Sequence, residues 1–520
     1  MTGTPLDSAM SGRRRPQPFN VVWRHPGWAL AAVALALHLW ASGAYGYFRD
    51  ELYFIVCGEH PAWGYVDQPP LIPLVAALMH HLFPGSLMML RLLPALGHAA
   101  TIVLAAETAR VLGGGRWAQA LAGLCVLTGI DFLGAGTLLT TDAVQAPAWL
   151  FCGYAMIRII RDGNERWWLA IGAVAGVALL TKYMIAFWLV ALGIGVLATP
   201  PRRSLTRPYV YLGAATALLI VLPNVMWQAA HGWPFLEIGR VAAERKNVAM
   251  PALTFMHEEI VQLNSATAPV WIAGALAFAV WPRFAALRGF AVAFVVLLTT
   301  MIVMHAKPYY PMGAYPLFLA GGAVALEAWV GSWVLRAALA TAVLAWGALG
   351  APFALPILPV ERFVAYMARL DVTPKSVEES PVGPLPQNYA DMFGWPELAV
   401  LVERAYQSLP PDEQARAVFI GDNWGEAAAV AVLVRPRGAP PAISGHNNFY
   451  LWGPLGHDGS VVIRIGRARD ALLQAYASVE PAGVLQSPWA MPTERGKTLW
   501  ICHGRKQSLE AAWPTFRHYD

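Results

Sequence analysis

The stretch YFRDELYF, Tyr47–Phe54, sets three consecutive charges, Arg49, Asp50 and Glu51, between aromatic residues just beyond an apolar run that begins at Gly27. The chain has few charges to spend on such a cluster. Of its 520 residues 57% are hydrophobic and 13% charged, and the mean hydropathy is +0.46. A soluble globular protein carries about a quarter charged residues. The balance excludes an ordinary soluble domain and points to a polytopic membrane protein with water-exposed mass attached.

About 20 apolar residues cross a bilayer as a helix, and shorter runs cross where the membrane thins. Eleven spans are expected on that basis: 27–47, 88–110, 117–136, 138–160, 167–180, 183–198, 208–227, 268–281, 289–305, 310–326 and 333–353. The region 167–198 also reads as one long tilted helix. The run Leu71–Phe83 is too short for a span and reads as re-entrant or interfacial. The segment from Gly27 lacks a small-residue cleavage pattern and reads as a retained anchor.

Charge orients this array. With the N-terminal tail 1–26 and its Arg13-Arg14-Arg15 inside, the inner turns carry Arg110 and Arg116, then Arg158, Arg161 and Arg166. Arg202, Arg203 and Arg207, Arg283 and Arg288, and Arg336 follow in the later inner turns. Every inner turn is basic, as the positive-inside rule requires. The pI near 9.0 is thereby explained by topology. No basic helix interleaved with stacking aromatics occurs, so nucleic acid is not an expected partner; the lipid bilayer is.

The outer side then holds the loops 48–87 and 228–267 and everything beyond the transmembrane region 27–355. A Pro-rich linker, 356–386, leads to a unit over 387–520 in which charges and short element signals return. Trp395–Ser408, Glu426–Val434 and Asp470–Val479 read as helices; Ala417–Ile420, Val461–Ile465 and Thr498–Cys502 read as strands. The expected fold is therefore an α-helical polytopic membrane protein with a small C-terminal α/β periplasmic domain. The four cysteines, Cys57, Cys125, Cys152 and Cys502, have no metal-ligand spacing.

The unusual polar residues collect on the outer face. Asp50 and Glu51 leave the first span, and Asp67-Gln68-Pro69-Pro70 lies near the end of the same loop. Asp131 and Asp142 bracket the third-to-fourth turn, and Lys182 lies in the fifth-to-sixth. Arg240, Arg245 and Glu258 belong to the second long loop, and Lys307 precedes Tyr309 and Tyr310. Taken singly each has an ordinary reading: a solvated loop acid, a helix cap at Asp142, a snorkelling lysine. His257-Glu258-Glu259 lacks the second histidine of a zincin. Ionisable groups at membrane depth face a cavity or a partner, so acids and bases from five segments on one face point to one charged pocket. A secondary transporter is the alternative, but its charges belong near the midplane of repeated halves, and no internal repeat is present.

The ordered set Asp50-Glu51, Asp67-Gln68-Pro69-Pro70-Leu71, Thr141-Asp142-Ala143, Leu179-Leu180-Thr181-Lys182-Tyr183 and Lys307-Pro308-Tyr309-Tyr310 resembles the membrane-integral C-type glycosyltransferases. More narrowly it resembles bacterial relatives of the protein O-mannosyltransferases and of the lipid A aminoarabinose transferase. The resemblance implies a polyprenyl-phosphate-sugar donor, an envelope glycolipid, glycan or protein as acceptor, and a place in the bacterial cytoplasmic membrane. By the family pattern Asp50 is the general base with Glu51 beside it. Lys182, Lys307, Arg240 and Arg245 are the candidates to neutralise the leaving phosphate, with Arg49 as a fifth. Asp67, Gln68, Asp142, Tyr309, Tyr310 and Glu258 line the pocket. Gln68 stands where many relatives carry lysine or histidine, which removes a cation from that position. The resemblance implies no fixed cofactor; some relatives use a divalent metal, and Asp50, Glu51, Asp67 and Asp142 are oxygen donors without a spacing that demands one. Tyr47, Phe48, Tyr53 and Phe54 are expected to hold the opening stretch at the membrane interface. The topology predicts that a reporter active only in the periplasm is active when fused after Asp520; a silent fusion breaks the eleven-span reading.

Overall fold

The computed structural model describes residues 25–242, 244, 249–374, 381–435, 438 and 440–520. Among these, each of the eleven apolar segments holds a helix, from Pro26–Ala41 to Trp333–Gly350. Backbones approach closely where small residues meet. A Cβ on Gly274 would lie 1.9 Å from the Phe318 carbonyl oxygen, and one on Gly322 1.7 Å from that of Val270. That contact locks the Ala268–Val280 helix to Tyr315–Trp329, the packing on which helices surrounded by lipid depend. The Gln145–Asp162 and Ile185–Leu197 helices are joined by the stacked rings of Trp149 and Trp188, 6.0 Å apart, with Trp188 Nε1 donating to the Trp149 carbonyl at 3.0 Å.

Three helices are each long and apolar enough to cross a bilayer among the described residues: Leu92–Val111, Pro208–Ala230 and the Trp333–Phe353 segment. Three further pairs pass only together, bent at their junctions by 62° to 108°, so length and composition account for up to six spans. The expected 117–136 span is one such pair, broken at Gly129 into Arg116–Thr128 and Ile130–Thr137. The 167–198 region is two helices, Trp167–Leu179 and Ile185–Leu197. Leu71–Leu82 is a helix of 12 residues, about 18 Å long and well short of a bilayer core.

The opening stretch differs from the expectation of an interfacial loop. Arg49–Glu59 is a helix, and seven of its residues, Glu51 to Cys57, are consecutively buried. A short helix buried all round belongs to a protein core. Its partner is the C-terminal unit: Tyr53 packs on Trp424 and Phe449 with ring centroids 4.8 and 6.2 Å apart. Leu52 to Cys57 share one apolar cluster with Trp395, Leu398, Phe419 and Val461. The expected linker also contributes structure, since Val360–Arg369 is a helix that buries Phe363 and Met367.

The C-terminal sheet has the order β2-β1-β3-β5-β4, with β1 Ala417–Gly421, β2 Ala442–Ser444, β3 Val461–Ile465, β4 Tyr476–Val484 and β5 Thr498–Arg505. β1 runs parallel to β2 and β3, while β5 is antiparallel to both β3 and β4. Asp470–Val479 is not one helix: the helix stops at Ala475 and Tyr476 opens β4. Pairing with β5 and the burial of Tyr476 and Val479 override local helix propensity there. β2, only three residues long, carries too little pattern to be read from sequence.

One ion pair ties these parts together. Glu51 and Arg91 are 0% and 2% exposed, and Arg91 Nε and Nη2 each donate to the Glu51 carboxylate at 2.8 Å. Glu51 also accepts from the N–H groups of Phe48 (2.9 Å) and Leu139 (3.1 Å), and Arg91 donates to the carbonyls of Ser42 and Gly46. Removing one partner of such a pair strands a buried charge and costs about 3–5 kcal/mol. Arg91→Met is expected to lower the thermal unfolding midpoint in detergent more than the Glu51→Gln/Arg91→Met double variant does. Equal losses would show that the stranded carboxylate is not the cause.

Candidate active site

The buried helix leaves its first turn partly exposed. Arg49 and Asp50 precede Glu51, and successive helical residues point about 100° apart, so Glu51 turns inward while Asp50, with a third of its side chain exposed, faces out. The helix N-terminus favours a carboxylate at this position. Arg49 lies over the Trp424 ring at 4.6 Å and within 3.8 Å of Asp50 and 3.7 Å of Asp391.

Across from Asp50, Lys182 Nζ donates to Asp142 Oδ2 at 2.7 Å and lies 4.8 and 5.6 Å from the ring centroids of Tyr310 and Tyr309. Burial works against the ammonium, but Asp142, the Tyr310 phenol and Asp50 outweigh it and hold Lys182 above the ordinary lysine pKa. Its backbone is fixed by Thr181, whose hydroxyl accepts from Gln145 Nε2 at 2.7 Å. On the other side Tyr183 OH donates to Asn224, which in turn donates to the Trp63 carbonyl at 2.8 Å. Lys307 precedes the two tyrosines on the same turn, where the Tyr310 N–H donates to its carbonyl at 3.0 Å.

Asp67 closes the group. It accepts from Tyr53 OH and Asn447 Nδ2, each at 3.1 Å, and burial pushes its pKa from 3.8 up to about 6, with the charge of Asp50 adding to the rise. Asn448 accepts from the Val66 N–H at 2.7 Å and its own N–H donates to Tyr53 OH at 3.2 Å. The polar loop Ser444–Asn448 therefore clamps the outer loop against the C-terminal unit.

The structure thus brings together Asp50, Asp67, Asp142, Lys182, Tyr309 and Tyr310. It turns Glu51 into the interior, and it buries Gln68 with its amide 3.8 Å from Cys57 Sγ. Arg240 is exposed and lies 4.0 Å from Glu244; Glu258 lies 4.0 Å from His257. Arg245 is outside the described residues. Arg91, Asn224, Asp391 and Trp424 support the site and carried no sequence signal, because each acts through tertiary contacts. Among the described residues no group of three or more His, Cys, Asp or Glu is placed to hold a metal.

Beside Lys182 opens an apolar groove of about 910 Å³. Leu71, Leu93, Val103, Phe151 and Val177 line it, with Thr181 on its wall. A charged cluster next to an apolar trough suits an amphiphile with an anionic head.

Known proteins resemble this chain in part of its sequence and in its fold. Residues 67–227 match the family model of dolichyl-phosphate-mannose-protein mannosyltransferases, a stretch that includes Asp67, Asp142 and Lys182. Lipid A galacturonosyltransferase RgtD of Rhizobium johnstonii is 26% identical over 189 residues, 36% of this chain. The chain spans 39% of the length of that relative. ArnT from Cupriavidus metallidurans bound to undecaprenyl phosphate superposes with a TM-score of 0.61 at 16% identity, covering 93% of this chain and 98% of that one. Its apo state gives 0.59 at 15% identity, with the same coverage. The chain has the C-type membrane glycosyltransferase fold. The mostly helical membrane body with a small C-terminal sheet is that fold's arrangement here.

The raised pKa of Asp67 has a definite sign. A carboxyl whose folded pKa exceeds its unfolded value contributes stability that is full below the unfolded value, here 3.8, and is lost as pH rises through about 6. The thermal midpoint is expected to fall between pH 4 and pH 7, and to fall less in Asp67→Asn, which cannot ionise. An identical fall in both proteins would remove Asp67 from the effect.

Proposed function

We propose that this protein is a membrane glycosyltransferase that moves a sugar from a polyprenyl-phosphate donor to a hydroxyl of an envelope glycolipid, glycan or protein. The observation that carries this reading is the Lys182–Asp142 pair under Tyr309 and Tyr310, set beside a long apolar groove. The groove takes the polyprenyl chain and the cluster takes the phosphate. The fold shared with ArnT, solved bound to undecaprenyl phosphate, and the partial sequence match to a lipid A galacturonosyltransferase support the same chemistry. The eleven-span topology, with the C-terminal unit in the periplasm and the body in the bacterial inner membrane, completes the proposal.

In this mechanism Asp50 accepts the proton of the attacking hydroxyl as the new glycosidic bond forms. The bond between the sugar and the phosphate oxygen breaks, and the leaving phosphate gathers charge. Lys182 and Lys307 stabilise that charge, with Arg240 and Arg245 as further cations of the second outer loop. Glu51 positions Asp50 through Arg91. Asp67 and Asp142 hold the frame, the first through Tyr53 and Asn447 and the second through Lys182. A transporter is less well supported, since the charges gather at one end of the helices beside a groove.

A positioned general base contributes about 10²–10⁴-fold to rate. Asp50→Asn is expected to lower turnover in purified enzyme by that factor with donor binding retained, and full turnover would refute the assignment. Lys182→Ala is expected to weaken donor binding more than acceptor binding; equal weakening would deny it the phosphate.

A further inference from the structure

A second large cavity, about 690 Å³, lies in the C-terminal unit at the carboxyl ends of β1, β2 and β3. Gly421 closes β1, Gly445 follows β2, and Arg464 is the penultimate residue of β3. β1 sits between β2 and β3, so the chain leaves it toward one neighbour and later returns to the other. Open α/β sheets bind ligands in the crevice at such a reversal of strand order.

The walls are strongly cationic. Arg464, Arg467, Arg505 and Arg517 line the cavity with His518, against the single carboxylate Asp422. Asp422 engages one nitrogen of Arg464 and lies 3.5 Å from Arg467 Nε. Arg517 is taken up by Glu237 of the outer loop at 2.6 Å. Arg464 is only 6% exposed, yet its Nη1 is buried with no hydrogen-bond partner among the described residues, and Arg505 Nε is in the same condition. Buried guanidinium N–H groups without acceptors are costly, and native structures supply them with one. An anion bound in the crevice does so. One nitrogen of Arg464 is taken by Asp422, and Arg505 Nη1 donates to the Tyr476 hydroxyl at 2.7 Å; the remaining guanidinium N–H groups suit the oxygens of a phosphate.

The cavity is larger than one phosphate needs and is within the range of small-molecule sites. Its remaining surface carries polar groups. Phe516 stacks on Trp513 with ring centroids 5.4 Å apart and faces the guanidinium groups of Arg464 and Arg505 at 6.0 and 5.6 Å, while Gln507 and Thr515 offer hydrogen-bonding groups to a polar ligand. The Asp422–Trp424 turn joins this crevice to the catalytic cluster, because Trp424 carries the Arg49 side chain.

We propose that this crevice binds a phosphorylated saccharide, with its phosphate on Arg464 and Arg505 and its hydroxyls toward Gln507 and Thr515. Its use as the acidic end of the acceptor rests on the glycosyl-transfer reading, whereas the binding itself does not. Calorimetry on the full chain in phosphate-free detergent buffer tests it, with glucosamine 1-phosphate, glucosamine and inorganic phosphate as probes. Glucosamine 1-phosphate is expected to bind at least tenfold more tightly than either other probe. Arg505→Gln is expected to weaken it at least tenfold. Arg464→Lys keeps a cation against Asp422 but loses the fork, and is expected to do the same. Absence of binding, or binding unchanged in both variants, overturns the site. Equal affinity for inorganic phosphate overturns the saccharide. None of these results depends on whether Asp50 catalyses transfer.

Discussion

The Glu51–Arg91 pair is the constraint from which the site follows. Two ions withdrawn from water gain little from each other unless every remaining lone pair and proton is also satisfied. Here they are met by groups from separate segments: Ser42 and Gly46 beyond the Pro26–Ala41 helix, Phe48 at the start of the next, and Leu139 in the turn leading to Asp142. The pair therefore fixes four chain segments against one another. It also settles the direction of Asp50, because a helix whose third residue is held inward has no freedom to rotate its second.

The C-terminal unit completes the same construction. Arg49 rests on Trp424 and Asp391, Asp67 on Asn447, and Val66 and Tyr53 on Asn448. These partners are more than 300 residues away in the chain, yet they set the geometry of the outer loop. The apolar cluster that Leu52 to Cys57 share with Trp395 and Phe419 makes the unit part of the same core. Truncation of the C-terminal unit would expose that buried helix and release Asp67.

Much of this was legible in the sequence where one physical signal dominates. Hydropathy located the apolar helices, and Asp50, Asp67, Asp142, Lys182 and the Tyr309-Tyr310 pair, expected together from where the apolar runs end, lie near one another. What stayed illegible depends on rotation and on distant partners. Glu51 and Asp50 are adjacent and chemically alike, and only Arg91 separates their roles; Arg91 itself looked like part of a span. Gln68 looked like a pocket residue in the sequence, but it is buried and its amide turns toward Cys57. The Tyr476 strand resembled a helix until β5 was there to pair with it.

The two acids nearest the opening are separated by environment in the same way. Asp67 is held by a phenol and an amide, and burial raises its pKa to about 6. Asp50 stands at a helix N-terminus with Arg49 at 3.8 Å and a third of its side chain exposed. A base must reach an incoming hydroxyl, and Asp50, with a third of its side chain exposed, is the carboxylate to which the proposed reaction gives that part. Lys182 has the complementary place beside the groove, where a lipid phosphate would arrive. In the proposed reaction an acceptor from the water side and a donor whose chain lies in the apolar groove meet between these two residues, which gives the carboxylate the proton and the cation the phosphate.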